Sequence, residues 1–217
     1  MAAFASLMSP LGFYPVVSTA DWVQRLLGWG VRTVQLRIKA ADHCPTEIAA
    51  HIQAAVAAGR AVPGAQVFIN DHWQLALACG AYGVHLGQED LTDAEGADLD
   101  ALRHAGVRLG LSTHTVAELT RAKAVQPSYL AIGPIYPTTL KVMPYAPVGL
   151  AHLTVWAAQA APYPVVAIGG ISLALMPGVL ACGVDGVAVV SAVTQAADPQ
   201  RATQSGLSLA AARQPVA

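Results

Sequence analysis

The stretch VFINDHWQLALACGAYGVHLGQED, residues 67 to 90, holds Asp71 and Asp90 at a spacing suited to metal chemistry. An apolar run ends at Asn70 and Asp71. After a short helix-like segment a second run, GVHL, leads into GQED and Asp90. Two strands joined by a helix form a parallel pair whose C-terminal ends lie side by side. Asp71 and Asp90 are therefore expected on one rim, where two carboxylates suit a hard cation such as Mg²⁺ completed by substrate phosphates. A plainer reading makes Asp71 the cap of a helix starting at His72, and Asp90 a turn residue. Upstream, Gln35, Arg37 and Lys39 are spaced by two, so on a regular strand they share a face turned away from Leu36 and Ile38. Two cations on one face suit an anion, and a guanidinium matches phosphate oxygens well. The competing reading is a solvated strand end with snorkelling basic side chains.

Further polar residues follow other apolar runs. Ser112 closes one run, Thr138, Thr139 and Lys141 lie in the loop YPTTLKVMPYAPV (136–148), Gly169 and Gly170 end another run, and Val190 and Ser191 end the last. Paired glycines at such a position let a backbone approach an anion closely. Ser191 also reads as a cap for whatever follows. His85 alternates with Val84 and Leu86, and a lone strand histidine is read here as a satisfied core residue outside the site. His72 and His114 follow strand ends without a role fixed by spacing, and Tyr136 and Tyr145 suit a pocket border or lid packing equally. No Ser–His–Asp or Cys–His arrangement offers a nucleophile system. The chemistry favoured is the departure of an anionic group such as pyrophosphate, helped by metal, cations and positioning.

These positions are ordered by an alternation of short apolar runs with amphipathic stretches. Strands are expected at 13–18, 33–39, 66–70, 83–86, 107–113, 129–135, 164–170 and 186–192. Helices are expected over Asp21–Gly28, Pro45–Ala58, His72–Cys79, Ala94–His104, Val116–Lys123, Gly149–Ala160 and Leu173–Cys182, with a last one from near Pro199. Eight strand–helix repeats imply an α/β fold of the (β/α)8 TIM-barrel type, with a doubly wound open sheet as the rival. In a barrel the candidate residues all fall at the C-terminal strand ends, where such folds build their sites.

With 217 residues, 54% hydrophobic and only 12% charged, the chain suits one compact domain (1–217) around a buried parallel sheet. Residues 1–12 read as a ragged start without the features of a signal peptide. A net charge of −1 without basic blocks argues against nucleic acid as a partner, and no apolar run is long enough to span a membrane. Cys44, Cys79 and Cys182 lack CxxC spacing, as expected of reduced thiols in a cytoplasmic protein.

The motifs QLRIK, FINDHWQLA, YGVHLGQEDL, GLSTH, GPIYPTTLK with MPYAPVGL, VAIGGI and VAVVSA, taken in order along nearly the whole chain, resemble the thiamine-phosphate synthase (thiamine-phosphate pyrophosphorylase) family. The resemblance implies a barrel transferase that joins hydroxymethylpyrimidine diphosphate to hydroxyethylthiazole phosphate, giving thiamine phosphate and pyrophosphate. It implies Mg²⁺ as cofactor, and diphosphate departure to a pyrimidine carbocation that the thiazole nitrogen captures. By position, Gln35, Arg37, Lys39, Asn70, Ser112 and Lys141 would hold the pyrimidine diphosphate, with Arg37, Lys39, Ser112 and Lys141 serving the chemistry. Asp71 and Asp90 would bind Mg²⁺, while Thr138, Thr139, Leu140, Gly170, Val190 and Ser191 would hold the thiazole phosphate. The implied partners are these small molecules, and a homo-oligomer is compatible with the chain. A related thiazole tautomerase and a non-catalytic binder of thiamine precursors are the alternatives. The first has no need of the combined Arg37, Lys39, Asp71, Asp90 and Lys141.

Two positions depart from the family pattern. Where QLREK is usual the chain has Ile38, which alternation turns away from Arg37 and Lys39. Where PTxTK is usual it has Leu140, so a threonine hydroxyl is missing. A lost hydrogen bond to a charged group costs about 1.5–3 kcal/mol, or roughly ten- to a hundred-fold in affinity. Leu140→Thr should therefore lower the KM for thiazole phosphate, measured by steady-state kinetics. An unchanged KM would mean that Thr139 or a backbone N–H already supplies the contact.

Overall fold

The computed structural model describes residues 2–91, 96–138 and 146–212. Its eight parallel strands are β1 (Gly12–Val17), β2 (Thr33–Leu36), β3 (Gln66–Asn70), β4 (Gly83–Leu86), β5 (Arg108–Thr113), β6 (Tyr129–Ile132), β7 (Val165–Ile168) and β8 (Gly186–Val189). Each pairs with its sequence neighbour, and β8 returns to β1 through Gly12↔Gly186 to Pro15↔Val189, closing the barrel. The open-sheet rival is thereby excluded. The helices are α1 (Ala20–Gly28), α2 (Pro45–Ala61), α3 (Trp73–Ala78), α4 (Leu99–His104), α5 (Val116–Ala124), α6 (Gly149–Ala160), α7 (Met176–Leu180), α8 (Ser191–Thr194) and α9 (Pro199–Ala211).

Period-two alternation along the strands sorts the core into two bodies. Val34, Leu36, Val67, Ile69, Val84 and Leu86 face outward into the large layer between sheet and helices. Tyr14, Val16, Phe68, Tyr129, Ala131, Val166 and Ala188 face inward and form a separate cluster in the barrel lumen. Ile38 is buried with the outward set, on the side that alternation predicts. Local chemistry starts the helices: Thr19, Asp98, Thr115 and Asp198 accept first-turn amides of α1, α4, α5 and α9, and the Asp98 cap starts α4 at Leu99, later than the expected Ala94.

Several strands stop short of their expected ends. β2 ends at Leu36, β6 at Ile132, β7 at Ile168 and β8 at Val189, because the sheet ladder ends where the chain turns out into the loops above the barrel. The four-residue α8 directly after β8 is an element that sequence periodicity did not resolve. The N-terminal segment also differs from a ragged start. It has no helix or strand before Gly12, yet Phe4 and Leu11 are buried, and Met8, Ser9 and Ala5 bond to Tyr82, Gln66 and Ser128. It stoppers the N-terminal end of the barrel, leaving the other end for the site.

Three large rings cross the lumen, and the neighbouring strands make room for them. A Cβ on Gly110 would overlap the ring of Tyr129, and one on Gly83 would overlap Phe68. Overpacking a core by one methyl costs about 1–3 kcal/mol, and a domain of this size loses roughly 2–4 °C per kcal/mol. Gly110→Ala should lower the melting temperature by several degrees in a thermal unfolding scan. An unchanged melting temperature would mean that Tyr129 is not held against β5.

Candidate active site

A cavity of about 280 Å³ opens at the C-terminal ends of the strands, on a scale that suits a ring-sized ligand. Gln35, Arg37, Asn70, Asp71, Ser112, Thr138, Gly170, Val190 and Ser191 line it. Arg37 stands one residue past β2, its amide bonded to Val17 O at 2.8 Å, which extends the β1–β2 pairing to the rim. Gln35 and Asn70 are 4% and 6% exposed, so their amides sit in a mostly buried floor and not on a solvated edge. Lys39 is exposed and lies outside the lining, at the start of a 3₁₀ turn over Ala40–Asp42. Thr139, Leu140 and Lys141 lie outside the described residues, as does Tyr145.

The two acidic residues have different settings. β3 and β4 pair Asn70 with His85, and the amide of Asp71 bonds to His85 O at 3.1 Å. Asp71 takes φ 61°, a left-handed conformation that Asp and Asn tolerate better than most residues. The following helix starts at Trp73 with His72 at the N-cap, so Asp71 stands one residue outside the capping position. Asp90 sits in a 3₁₀ turn, Glu89–Leu91, and its Oδ2 accepts the amide of Gly87 at 2.8 Å. The turn role expected of Asp90 is thus present, and it ties this carboxylate to the end of β4. The neighbouring Glu89, not Asp90, is the one counted in the cavity lining.

Gly169 and Gly170 have φ of 100° and 68°, which a side chain would strain. Their α-carbons also face the chain that follows β6. A Cβ on Gly169 would strike Pro134, and one on Gly170 the carbonyls of Tyr136 and Pro137. The close approach that requires glycine here is that of the protein's own loop, whose Ile135 and Tyr136 amides bond to Ile168 O and Gly169 O at 3.0 Å. The glycines thereby hold Thr138 beside the ends of β7 and β8.

Three polar lining residues, Glu89, His114 and His85, were not assigned to the site from the sequence. Glu89 was passed over for its neighbour. His114 projects beside Gly133, to whose carbonyl its Nδ1 must donate, and its amide bonds to Glu118 at 2.7 Å. His85 is a buried residue at 6% exposure, as expected, but it also forms part of the cavity wall. Its Nε2 is 2.8 Å from Ser112 Oγ and its Nδ1 is 2.8 Å from Tyr129 Oη. Tyr129 in turn bonds to Tyr14 at 2.8 Å, and Gln35 Nε2 donates to Tyr14 at 3.2 Å. Burial is the main cause that raises the pKa of both tyrosines, so both remain protonated. No pairwise spacing in the sequence links residues 14, 35, 85, 112 and 129. Only barrel closure brings them together. His72, by contrast, is outside the lining and bonds through Nε2 to Ile38 O at 3.3 Å.

Residues 14–193 match the family model described as thiamine monophosphate synthase. A thiamine-phosphate synthase from Cronobacter sakazakii is 54% identical over 207 residues, covering 95% of this chain and 96% of that one. The Klebsiella pneumoniae thiamine-phosphate synthase is 55% identical over 202 residues, 93% of each chain. Among solved structures, thiamine phosphate pyrophosphorylase from Pyrococcus furiosus superposes with a TM-score of 0.77 at 30% identity, over 93% of this chain and 96% of that one. A 3-hexulose-6-phosphate synthase from Salmonella typhimurium, at 18% identity and a TM-score of 0.69, shares the fold alone. With a barrel, a rim cavity and relatives matched over more than nine-tenths of the chain, the chain belongs to the thiamine monophosphate synthase family, a family of transferases.

Proposed function

We propose that this chain is a thiamine-phosphate synthase that joins hydroxymethylpyrimidine diphosphate to hydroxyethylthiazole phosphate with release of pyrophosphate. One observation carries the reading: one cavity gathers Arg37, Asn70, Asp71 and Ser112 at the ends of β2, β3 and β5 with Gly170 and Ser191 just past β7 and β8. That combination suits two anionic substrates lying side by side. Arg37 grips the diphosphate through its guanidinium, and Lys39 and Lys141 add charge in the roles the family resemblance assigns. Gln35, Asn70 and Ser112 orient the pyrimidine ring. Thr138 and the backbone at Gly170, Val190 and Ser191 hold the thiazole phosphate, and Thr139 and Leu140 join them in the roles the family resemblance assigns.

The residues fit Mg²⁺ if the substrate completes its shell. Among the described residues no group of three or more His, Cys, Asp or Glu could hold a metal by itself. Mg²⁺ commonly takes only one or two carboxylates plus substrate phosphates, and Asp71 and Asp90 stand at the ends of adjacent strands. When bound, the ion neutralises charge on the departing pyrophosphate. In the reaction, the bond from the pyrimidine methylene carbon to the diphosphate oxygen breaks and its electron pair leaves with pyrophosphate. The cation so formed is captured by the thiazole nitrogen lone pair, which makes the new C–N bond. Arg37 and the lysines stabilise the leaving group, while the floor residues keep the methylene carbon facing the thiazole. Cytoplasmic residence belongs to the same reading, supported by three free cysteines and by the absence, among the described residues, of a helix long and apolar enough to cross a membrane.

Asp71→Asn separates charge from backbone, because asparagine tolerates the left-handed φ whereas alanine would add strain. Mg²⁺-dependent turnover should fall by about a hundred-fold or more with the melting temperature held, a loss of roughly 3 kcal/mol in transition-state stabilisation. Turnover within a few-fold of the parent would remove Asp71 from the metal site. Asp90→Ala should lose both turnover and stability, because Gly87 N also loses its acceptor, and thermal scans run beside the kinetics check the pair.

A further inference from the structure

The hydrogen-bonded chain beneath the cavity has an order that follows from what each group can donate. Gln35 Nε2 can only donate, so Tyr14 Oη accepts from it, and the Tyr14 hydroxyl hydrogen is left for Tyr129 Oη. Tyr129 then passes its own hydrogen to His85 Nδ1. A neutral imidazole that accepts at Nδ1 carries its proton at Nε2, and this donates to Ser112 Oγ. Ser112 is left with its hydroxyl hydrogen to offer. Among the described residues His85 is the one side-chain partner of Ser112 Oγ, and Ser112 lines the cavity. At the other end Gln35, 96% buried, has its Nε2 committed to Tyr14 and lines the same cavity, with its carbonyl oxygen the group left to offer. The opposite order, with Gln35 still donating, would strand the Tyr14 hydroxyl hydrogen inside the lumen without an acceptor, a cost that buried polar groups rarely bear.

We propose that the Gln35–Tyr14–Tyr129–His85–Ser112 chain fixes its two ends in opposite polarity, Gln35 as acceptor and Ser112 as donor, and so selects a heteroaromatic ring that presents an exocyclic amine and a ring nitrogen. Tyr14, Tyr129 and His85 are positioning residues in this scheme: they act through the two ends and not on the reacting atoms. The inference rests on the synthase reading, since the aminopyrimidine ring of thiamine carries both features. Gln35 Oε1 accepts from the amine and Ser112 Oγ–H donates to a ring nitrogen. A single hydroxyl or amide can rotate or flip to suit a ligand. Here neither end can do so alone, because each is held in place by the next bond in the chain.

The test has two arms. In the free protein, long-range ¹H–¹⁵N correlation on histidine-labelled material should show His85 protonated at Nε2 with Nδ1 an acceptor. An Nδ1–H tautomer would reverse the chain and overturn the assignment, whatever the enzyme's activity. In the second arm Tyr129→Phe and Tyr14→Phe each remove one hydroxyl. Both variants, checked for folding by circular dichroism, should raise the KM for the pyrimidine diphosphate about ten-fold while the KM for thiazole phosphate stays within two-fold. They should also lose the parent's preference for the amino substrate over its desamino analogue. A loss shared equally between both substrates, with that preference intact, would mean that the chain only supports the fold. A parent without thiamine phosphate formation would sink the synthase reading, and the tautomer measurement would still decide the proton order.

Discussion

A hydroxyl inside a closed barrel cannot reach water, so it must find its partner across the lumen. The Tyr14–Tyr129 bond, 2.8 Å long between strands 115 residues apart in sequence, meets that condition. An unpartnered hydroxyl would cost on the order of 1–3 kcal/mol by mutational measures. The consequences spread in both directions. Below the bond, Phe68 packs edge-on against Tyr129 and Tyr82, and the N-terminal segment closes the barrel. Above it, His85 and Gln35 carry the network to the cavity floor. Gly83 and Gly110 are required because these rings occupy the space that side chains on β4 and β5 would fill. The depth of the site is thus set by where the aromatic layer ends.

On that floor the rim residues divide into two groups. Arg37 and Asp71 reach the cavity because the pairings of β1 with β2 and β3 with β4 carry the chain past the last strand residues. On the far side, the loop after β6 is laid across Gly169 and Gly170, which puts Thr138 into the same cavity as Ser191. Charge is concentrated in the first group and backbone with small hydroxyls in the second. A barrel whose own loop demands the paired glycines can hold that second side in place before ligand arrives.

Much of this was legible in the residues, for definite reasons. β3, β4 and α6 end where periodicity and punctuation put them, and barrel closure followed from eight repeats of strand and helix. Ile38 was assigned to the helix side by simple alternation, and it is buried there. What escaped depended on contacts between distant strands. His85 was read as a core residue, and it is one, but alternation within one strand says nothing of Ser112 and Tyr129 on β5 and β6. Glu89 and Asp90 are adjacent, and adjacency does not foretell that Gly87 N bonds to Asp90 while Glu89 lines the cavity. The glycine pair was expected to admit a ligand's anion, whereas a Cβ there would first meet Pro134 and Tyr136. Lys39 shares the alternation of Arg37, yet β2 ends before it and it leaves the cavity wall.

The central claim is a chemical one, and product formation tests it most directly. Purified protein should be incubated with hydroxymethylpyrimidine diphosphate, thiazole phosphate and Mg²⁺, and the products read by mass spectrometry beside an EDTA control. The account predicts thiamine phosphate and pyrophosphate in equal amounts, both abolished by EDTA and restored by excess Mg²⁺. Folded protein that binds the pyrimidine diphosphate but forms no thiamine phosphate would contradict it.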